Sequence, residues 1–206
     1  MALITDKVLL NPKATGSLPS GSEGSLAYDS TTDQVKVYGT SWQPVSRAVA
    51  TGGTETTMVG YRIHTFTTSG ADVFEITGSS LVCDILIVGG GAGAHGGHQS
   101  PGGGGGGAGG FVYYSQKSLP AGLYTAIVGA GGTAGKADGV SPAFVKPTNG
   151  GDSSFGSLTV AVGGGCSSGF VNTPGSIGGS GGGGSYSAVE NGYAGTANQG
   201  NAGGNG

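Results

Sequence analysis

Apolar and polar residues alternate with a period of two in Gln34-Val-Lys-Val-Tyr38, the pattern of a half-buried strand. Ser25–Asp29 before it and a segment opening at Trp42 after it read as short strands. They are separated by the turn formers of Asp29–Asp33 and by Gly39-Thr-Ser41. The three make a meander of about twenty residues, too small to bury a core alone. Partners are therefore expected, and self-association about a three-fold axis supplies them most simply. The candidate trimerisation residues are Leu26, Tyr28, Val35, Val37, Tyr38 and Trp42. Met1–Leu10 reads as a strand or an attachment segment, and Asn11–Gly24 as extended loop.

Further strands are predicted over Tyr61–Phe66, Ala71–Ile76, Gly110–Tyr114, Leu123–Val128, Ser153–Phe155 and Ser157–Val162. Leu81–Val88 is a near-continuous apolar run and reads as a buried central strand. No stretch shows a 3.6-residue period. The fold class expected is all-β: an N-terminal β-meander, then a small β-sandwich or jelly-roll-like domain. Three regions follow: 1–50 for attachment and trimerisation, 51–165 as a glycine-rich β domain, and 166–206 as a low-complexity tail.

Composition changes this picture through glycine, which supplies 49 of the 206 residues. A glycine run is either a flexible linker or a polyproline-II-type helix, with three residues per turn and no internal hydrogen bonds. Several such helices can bond laterally, because chains without Cβ atoms approach closely. Gly89–Gly91, Gly102–Gly107 and Gly163–Gly165 lie beside predicted strands and so are expected to be ordered as polyglycine-II segments. The order of residues 178–206 stays open.

Charge excludes other functions. The net charge is −3 and only 9% of residues are charged, so no basic surface for nucleic acid exists. No apolar run is long enough to span a bilayer. Asp6 and Lys7 interrupt the N-terminal apolar stretch, which is not expected to be a signal peptide.

Candidate chemistry is sparse. Cys83–Ala94 mimics a dinucleotide-binding turn, but His95-Gly-Gly-His-Gln-Ser-Pro cannot open the helix that the pyrophosphate requires. His95 and His98 form an H-x-x-H in a glycine loop and read as exposed polar residues rather than metal ligands. Cys83 and Cys166 are expected to be buried free thiols. Neither a nucleophile with its base nor a clustered acid pair stands out, so no enzyme and no cofactor are expected. Tyr113, Tyr114, Phe170, Tyr186 and Tyr193 could stack on sugars or pack between the runs. If the glycine-rich loops contact a receptor, the candidates are His95, His98, Tyr186 and Tyr193.

Several blocks carry a resemblance. They are Phe66–Phe74, Cys83–Gly91, the run ending Gly-Gly-Phe-Val-Tyr-Tyr114, Leu119–Gly132 and Gly151–Val160. In that order they resemble the glycine-rich domain of bacteriophage tail-fibre and related virion surface proteins. Gly24–Trp42 likewise resembles the short tyrosine/tryptophan hairpin units of trimeric phage fibres. The resemblance implies a homotrimeric structural subunit on the exposed virion surface. It implies docking to other virion proteins through the N-terminal part, and adhesion to a host-cell surface receptor through the glycine-rich part. A head fibre or capsid decoration protein, and a cellular adhesin, are the alternatives.

Overall fold

A computed structural model describes residues 12–13, 18, 25–31, 34–38, 40–45, 47–96, 103–136, 145–169, 174–185 and 191–206. Met1–Leu10, assigned above to a strand or attachment segment, lies outside them. The described residues contain strands and no helix, so the fold is all-β. The chain divides into two units, Met1–Arg47 and Ala48–Gly206.

The first unit is one four-stranded sheet in the order β1 (Pro12–Lys13), β2 (Leu26–Asp29), β3 (Gln34–Tyr38), β4 (Trp42–Pro44). The meander β2–β3–β4 is antiparallel, whereas β1 pairs with β2 in parallel. The expected loop therefore contributes a strand at Pro12–Lys13. The chain turns after β2 because the Asp29 carboxylate accepts the Thr31 N–H at 2.9 Å. Cross-strand pairing sets Leu26 opposite Val37 and Tyr28 opposite Val35, so these four share one face. Tyr38 and Trp42 pair on the opposite face, their rings T-shaped with centroids 5.3 Å apart. On that second face Lys36 Nζ lies 2.5 Å from Asp29, both side chains buried.

The second unit begins with β5 (Val49–Thr51), the hairpin β6 (Thr54–Met58) and β7 (Tyr61–Thr65), and β8 (Gly70–Thr77). It continues through β9 (Leu81–Val88), β10 (Phe111–Leu119), β11 (Gly122–Val128) and β12 (Ser154–Phe155). One sheet runs β12-β11-β8-β5 and a second pairs β10 with β9. Ala50, Phe74, Ile76 and Leu119 form the buried core between them, flanked by Phe66, Leu81, Cys83, Ile85, Tyr124 and Phe155. Phe74 centres an aromatic cluster with His64, Phe66 and Phe155 at centroid distances of 5.2, 6.3 and 5.7 Å. The β6–β7 hairpin closes through Val59-Gly60, where Gly60 has φ +80°.

Two expectations need correction. Leu81–Val88 is not a buried central strand. It belongs to a two-stranded sheet and alternates, with Val82, Leu86 and Val88 on the outward face. Ser157–Val162 is not a strand either; only Ala161 bridges, to Ser153.

Beyond the sandwich the described residues form nine extended glycine-rich runs, numbered I to IX: 89–96, 103–110, 129–135, 145–152, 161–169, 174–179, 180–185, 191–196 and 199–206. Their hydrogen bonds repeat every third residue. Gly89 and Ala92 donate to run II, Gly90 and Gly93 to run IV, and the carbonyls of Gly91 and Ala94 accept from run III. No glycine of these runs has a positive φ. A three-residue repeat with bonds only between neighbours is the polyglycine-II arrangement.

Run V is enclosed. Its bonds reach run I (Gly164 N–H to Gly90 O), run II (Gly107 N–H to Gly165 O), run IV (Gly150 N–H to Gly164 O), run VI and run VII. The sixth side is closed by side chains of run IV. Asp152 Oδ1 accepts the Gly163 N–H at 2.7 Å and Asn149 Oδ1 accepts the Cys166 N–H at 2.9 Å. A Cβ on almost any enclosed glycine would strike a neighbouring backbone, as at Gly164, where the Gly107 carbonyl stands in the way.

Candidate interaction surfaces

The N-terminal sheet exposes much of its apolar face: Leu26 is 50% and Val35 38% exposed. Tyr28 and Val37 beside them are half-buried. Among the described residues of this unit the buried side chains are Asp29 and Lys36, and no apolar residue is buried. The register divides the six candidate trimerisation residues between two faces, Leu26, Tyr28, Val35 and Val37 on one, Tyr38 and Trp42 on the other.

A second apolar face lies on β9–β10. Val88 opposes Phe111 and Leu86 opposes Tyr113, all four more than half exposed. Pairing identifies it, since Leu81–Val88 and Phe111–Tyr114 are apolar on both faces apart from Asp84. A β-bulge interrupts β10 between Tyr114 and Lys117, and Gln116 takes φ +48° there. The carboxylate of Asp84 holds the bulge, accepting the Gln116 N–H at 2.7 Å. That bond, with the Tyr113 and Ser115 side chains, holds the Asp84 carboxyl below its ordinary value. A carboxyl lowered by folding stabilises above its unfolded pKa and loses that contribution as pH falls through the folded one. In an Asp84→Ala variant the Gln116 amide should exchange with solvent at least tenfold faster. Acidifying the wild type through the Asp84 titration should likewise lower the protection of that amide relative to its intrinsic exchange rate at each pH, and amide exchange followed by NMR reads both.

The Tyr114 hydroxyl donates to Thr159 Oγ1 at 2.9 Å and accepts the Thr159 N–H at 3.0 Å. Those contacts with Thr159, and the charge of Lys117, lower its pKa. A third exposed apolar group is the hairpin tip of Met58, Val59 and Tyr61.

His95 is 5% exposed, inside the glycine lattice. Its N–H donates to Ser167 Oγ at 2.8 Å, and Nδ1 lies 2.7 Å from the Gly96 carbonyl. The expectation of an exposed polar residue fails for His95, because runs II, III and V close around it. Tyr193 is half-buried; its backbone bonds runs VII and IX and its ring lies against Gly175. His98, Phe170 and Tyr186 lie outside the described residues. Cys83 and Cys166 are free thiols, Cys166 buried and Cys83 half-buried. Burial, and then the charge of Asp84, pushes the Cys83 thiol up, which makes it a poor nucleophile.

Among the described residues no cluster of His, Cys, Asp or Glu could hold a metal ion. No helix among them is long and apolar enough to cross a membrane. The sequence model of the glycine-rich domain matches residues 65–206. No curated protein and no solved structure matches the chain.

Proposed function

For a chain that belongs to the glycine-rich domain family, we propose the role of a non-enzymatic structural fibre subunit of a tailed bacteriophage virion. The N-terminal unit associates with copies of itself as a homotrimer and docks to other virion proteins. The glycine-rich unit forms the exposed part and adheres to a host-cell surface receptor.

The observation that carries this reading is the N-terminal sheet. It has an apolar face at Leu26, Tyr28, Val35 and Val37, yet buries no apolar side chain among its described residues. A sheet of that size needs apolar cover from outside, which a second and third copy supply. The lattice supports the other half of the reading. Bonded backbone at nearly every turn gives a stiff body that depends on few side chains, and its surface positions are free to vary.

Light scattering on the purified full chain tests the proposal. The expected mass is three times that of one chain. Val35→Asp places a charge at a position already 38% exposed, so it should leave the sheet folded. It should reduce the mass to that of a single chain. A wild-type monomer at micromolar concentration would overturn the trimeric reading.

A further inference from the structure

Among the described residues run VII has five neighbours where a polyglycine-II lattice provides six. Ser180 and Gly183 donate to Ala108 and Gly105 of run II, at 2.8 and 2.9 Å. Gly181 and Gly184 donate to Asn201 and Gly204 of run IX, at 3.0 and 2.9 Å. Gly182 donates to Ser176 of run VI. In return, the carbonyls of Ser180 and Gly183 accept from run V, and that of Gly182 accepts from Tyr193 of run VIII. These neighbours are bonded to one another in the circle II–V–VI–VIII–IX. Among the described residues runs IX and II are joined only where run II leaves for β10, by the Phe111 N–H donating to the Gln199 carbonyl at 3.3 Å. Between them lies a groove of about 330 Å³, lined by Gly105 and Gly106, Gly181 and Gly183, and Gly204.

The repeat shows what the groove presents. Around run VII each carbonyl points one site further than the N–H of the same residue. Ser180 donates to run II and accepts from run V, the next site; Gly182 donates to run VI and accepts from run VIII. Gly181 and Gly184 donate to run IX, so their carbonyls point into the groove, and no described group donates to them. The same phase applies to the walls. The Gly105 and Ala108 carbonyls accept from run VII, so their N–H groups face the groove; the Gly204 N–H faces it from run IX. At one end the Asn201 N–H meets Ser180 Oγ at 3.4 Å.

The groove thus offers N–H, C=O and N–H in sequence across its three walls. Run V shows what complements that series, since donors and acceptors alternate on all six of its sides. The carbonyls of Gly181 and Gly184 are three residues apart, about 9.3 Å at a rise of about 3.1 Å per residue. An extended glycine strand has the same repeat. We propose that this groove is a docking site for a glycine-rich strand of another polypeptide, added as the sixth neighbour of run VII. The exposed edges of this chain's own runs I and III suit the groove poorly, because Ala94, Thr133 and Ala134 carry side chains there.

The test uses ¹⁵N-labelled full chain and the capped peptide Gly-Gly-Gly-Gly-Gly-Gly-Ala-Gly-Gly at millimolar concentration. The Gly105, Ala108 and Gly204 amides should shift together and saturate. Gly105 lines the groove and a Cβ added there meets nothing within 4 Å, so Gly105→Leu occupies the groove without meeting backbone and should weaken binding at least tenfold. An analogue with alanine at the central positions should not bind, whatever Gly105→Leu does to folding. The proposal is overturned if those amides stay still, if the alanine peptide binds as well, or if a folded Gly105→Leu titrates like the wild type. Equal shifts with cellohexaose would make the site a glycan groove. Broadening of the same amides with protein concentration alone would make the occupant a second copy. Either result overturns the assignment to a foreign strand.

Discussion

Gly164→Ala is expected to destabilise the second unit by about 3 kcal/mol or more, or to prevent its folding. The added methyl has nowhere to go. Its position falls on the Gly107 carbonyl and within 2.9 Å of the Ala92 nitrogen, all backbone atoms fixed by their own hydrogen bonds. Relief requires run V to move away from runs I and II together, which breaks several bonds at once. Gly131→Ala is the opposite case. Its nearest atom beyond the chain neighbours is the Gly91 carbonyl at 3.8 Å, and its φ is not positive. Alanine there restricts the unfolded chain without a clash and should stabilise by about 0.4–1 kcal/mol. Urea midpoints for the two variants should move in opposite directions. A Gly164→Ala protein as stable as wild type would mean that run V is not enclosed.

Phe74→Ala should cost about 4 kcal/mol, in the range for removing a buried aromatic ring. Phe74 is 6% exposed and meets the rings of His64, Phe66 and Phe155. The cavity would open where the hairpin, β8 and β12 converge, so these surroundings cannot collapse into it independently. The loss should appear as a lower denaturation midpoint of the second unit. The oligomeric mass contributed by the N-terminal sheet should not change, because Phe74 and its ring partners all belong to the second unit.

Much of the strand pattern was legible because alternation and turn chemistry coincide. Gln34–Tyr38 is flanked by turn formers on both sides, and strand, register and faces follow. Leu81–Val88 misled because its outward positions are Val82, Leu86 and Val88, with Asp84 the only polar residue. A period of two cannot be seen when both faces are apolar. The enclosed runs were legible in kind, since strands on either side demand a fixed connection. Their register was not. Gly104, Gly105 and Gly106 are identical as letters, yet Gly104 is buried against run VII, Gly105 faces the groove and Gly106 faces run I. That difference lies in which neighbour each peptide bonds. For the same reason the place of residues 174–185 and 191–206 in the lattice could not be read from their composition. The burial of His95 was likewise hidden, because the residues that close over it are Gly103, Gly135 and Ser167, with no large apolar side chain among them to announce a core.

The enclosure of run V by polar groups, peptide units on five sides and the Asp152 and Asn149 side chains on the sixth, bears on how this protein responds to temperature. Exposing apolar surface raises the heat capacity of unfolding by about 0.45 cal/K/mol/Å², whereas exposing polar surface lowers it by about 0.26. An ordinary core is dominated by the first contribution. Melting the glycine lattice would expose mainly amides and carbonyls, and its heat-capacity change would be small for the number of residues ordered. The stability curve of that region would then be broad and shallow, with little loss on cooling. The sandwich around Phe74 and Ile76 would keep the usual curvature, so the two parts of one unit would differ most in the cold.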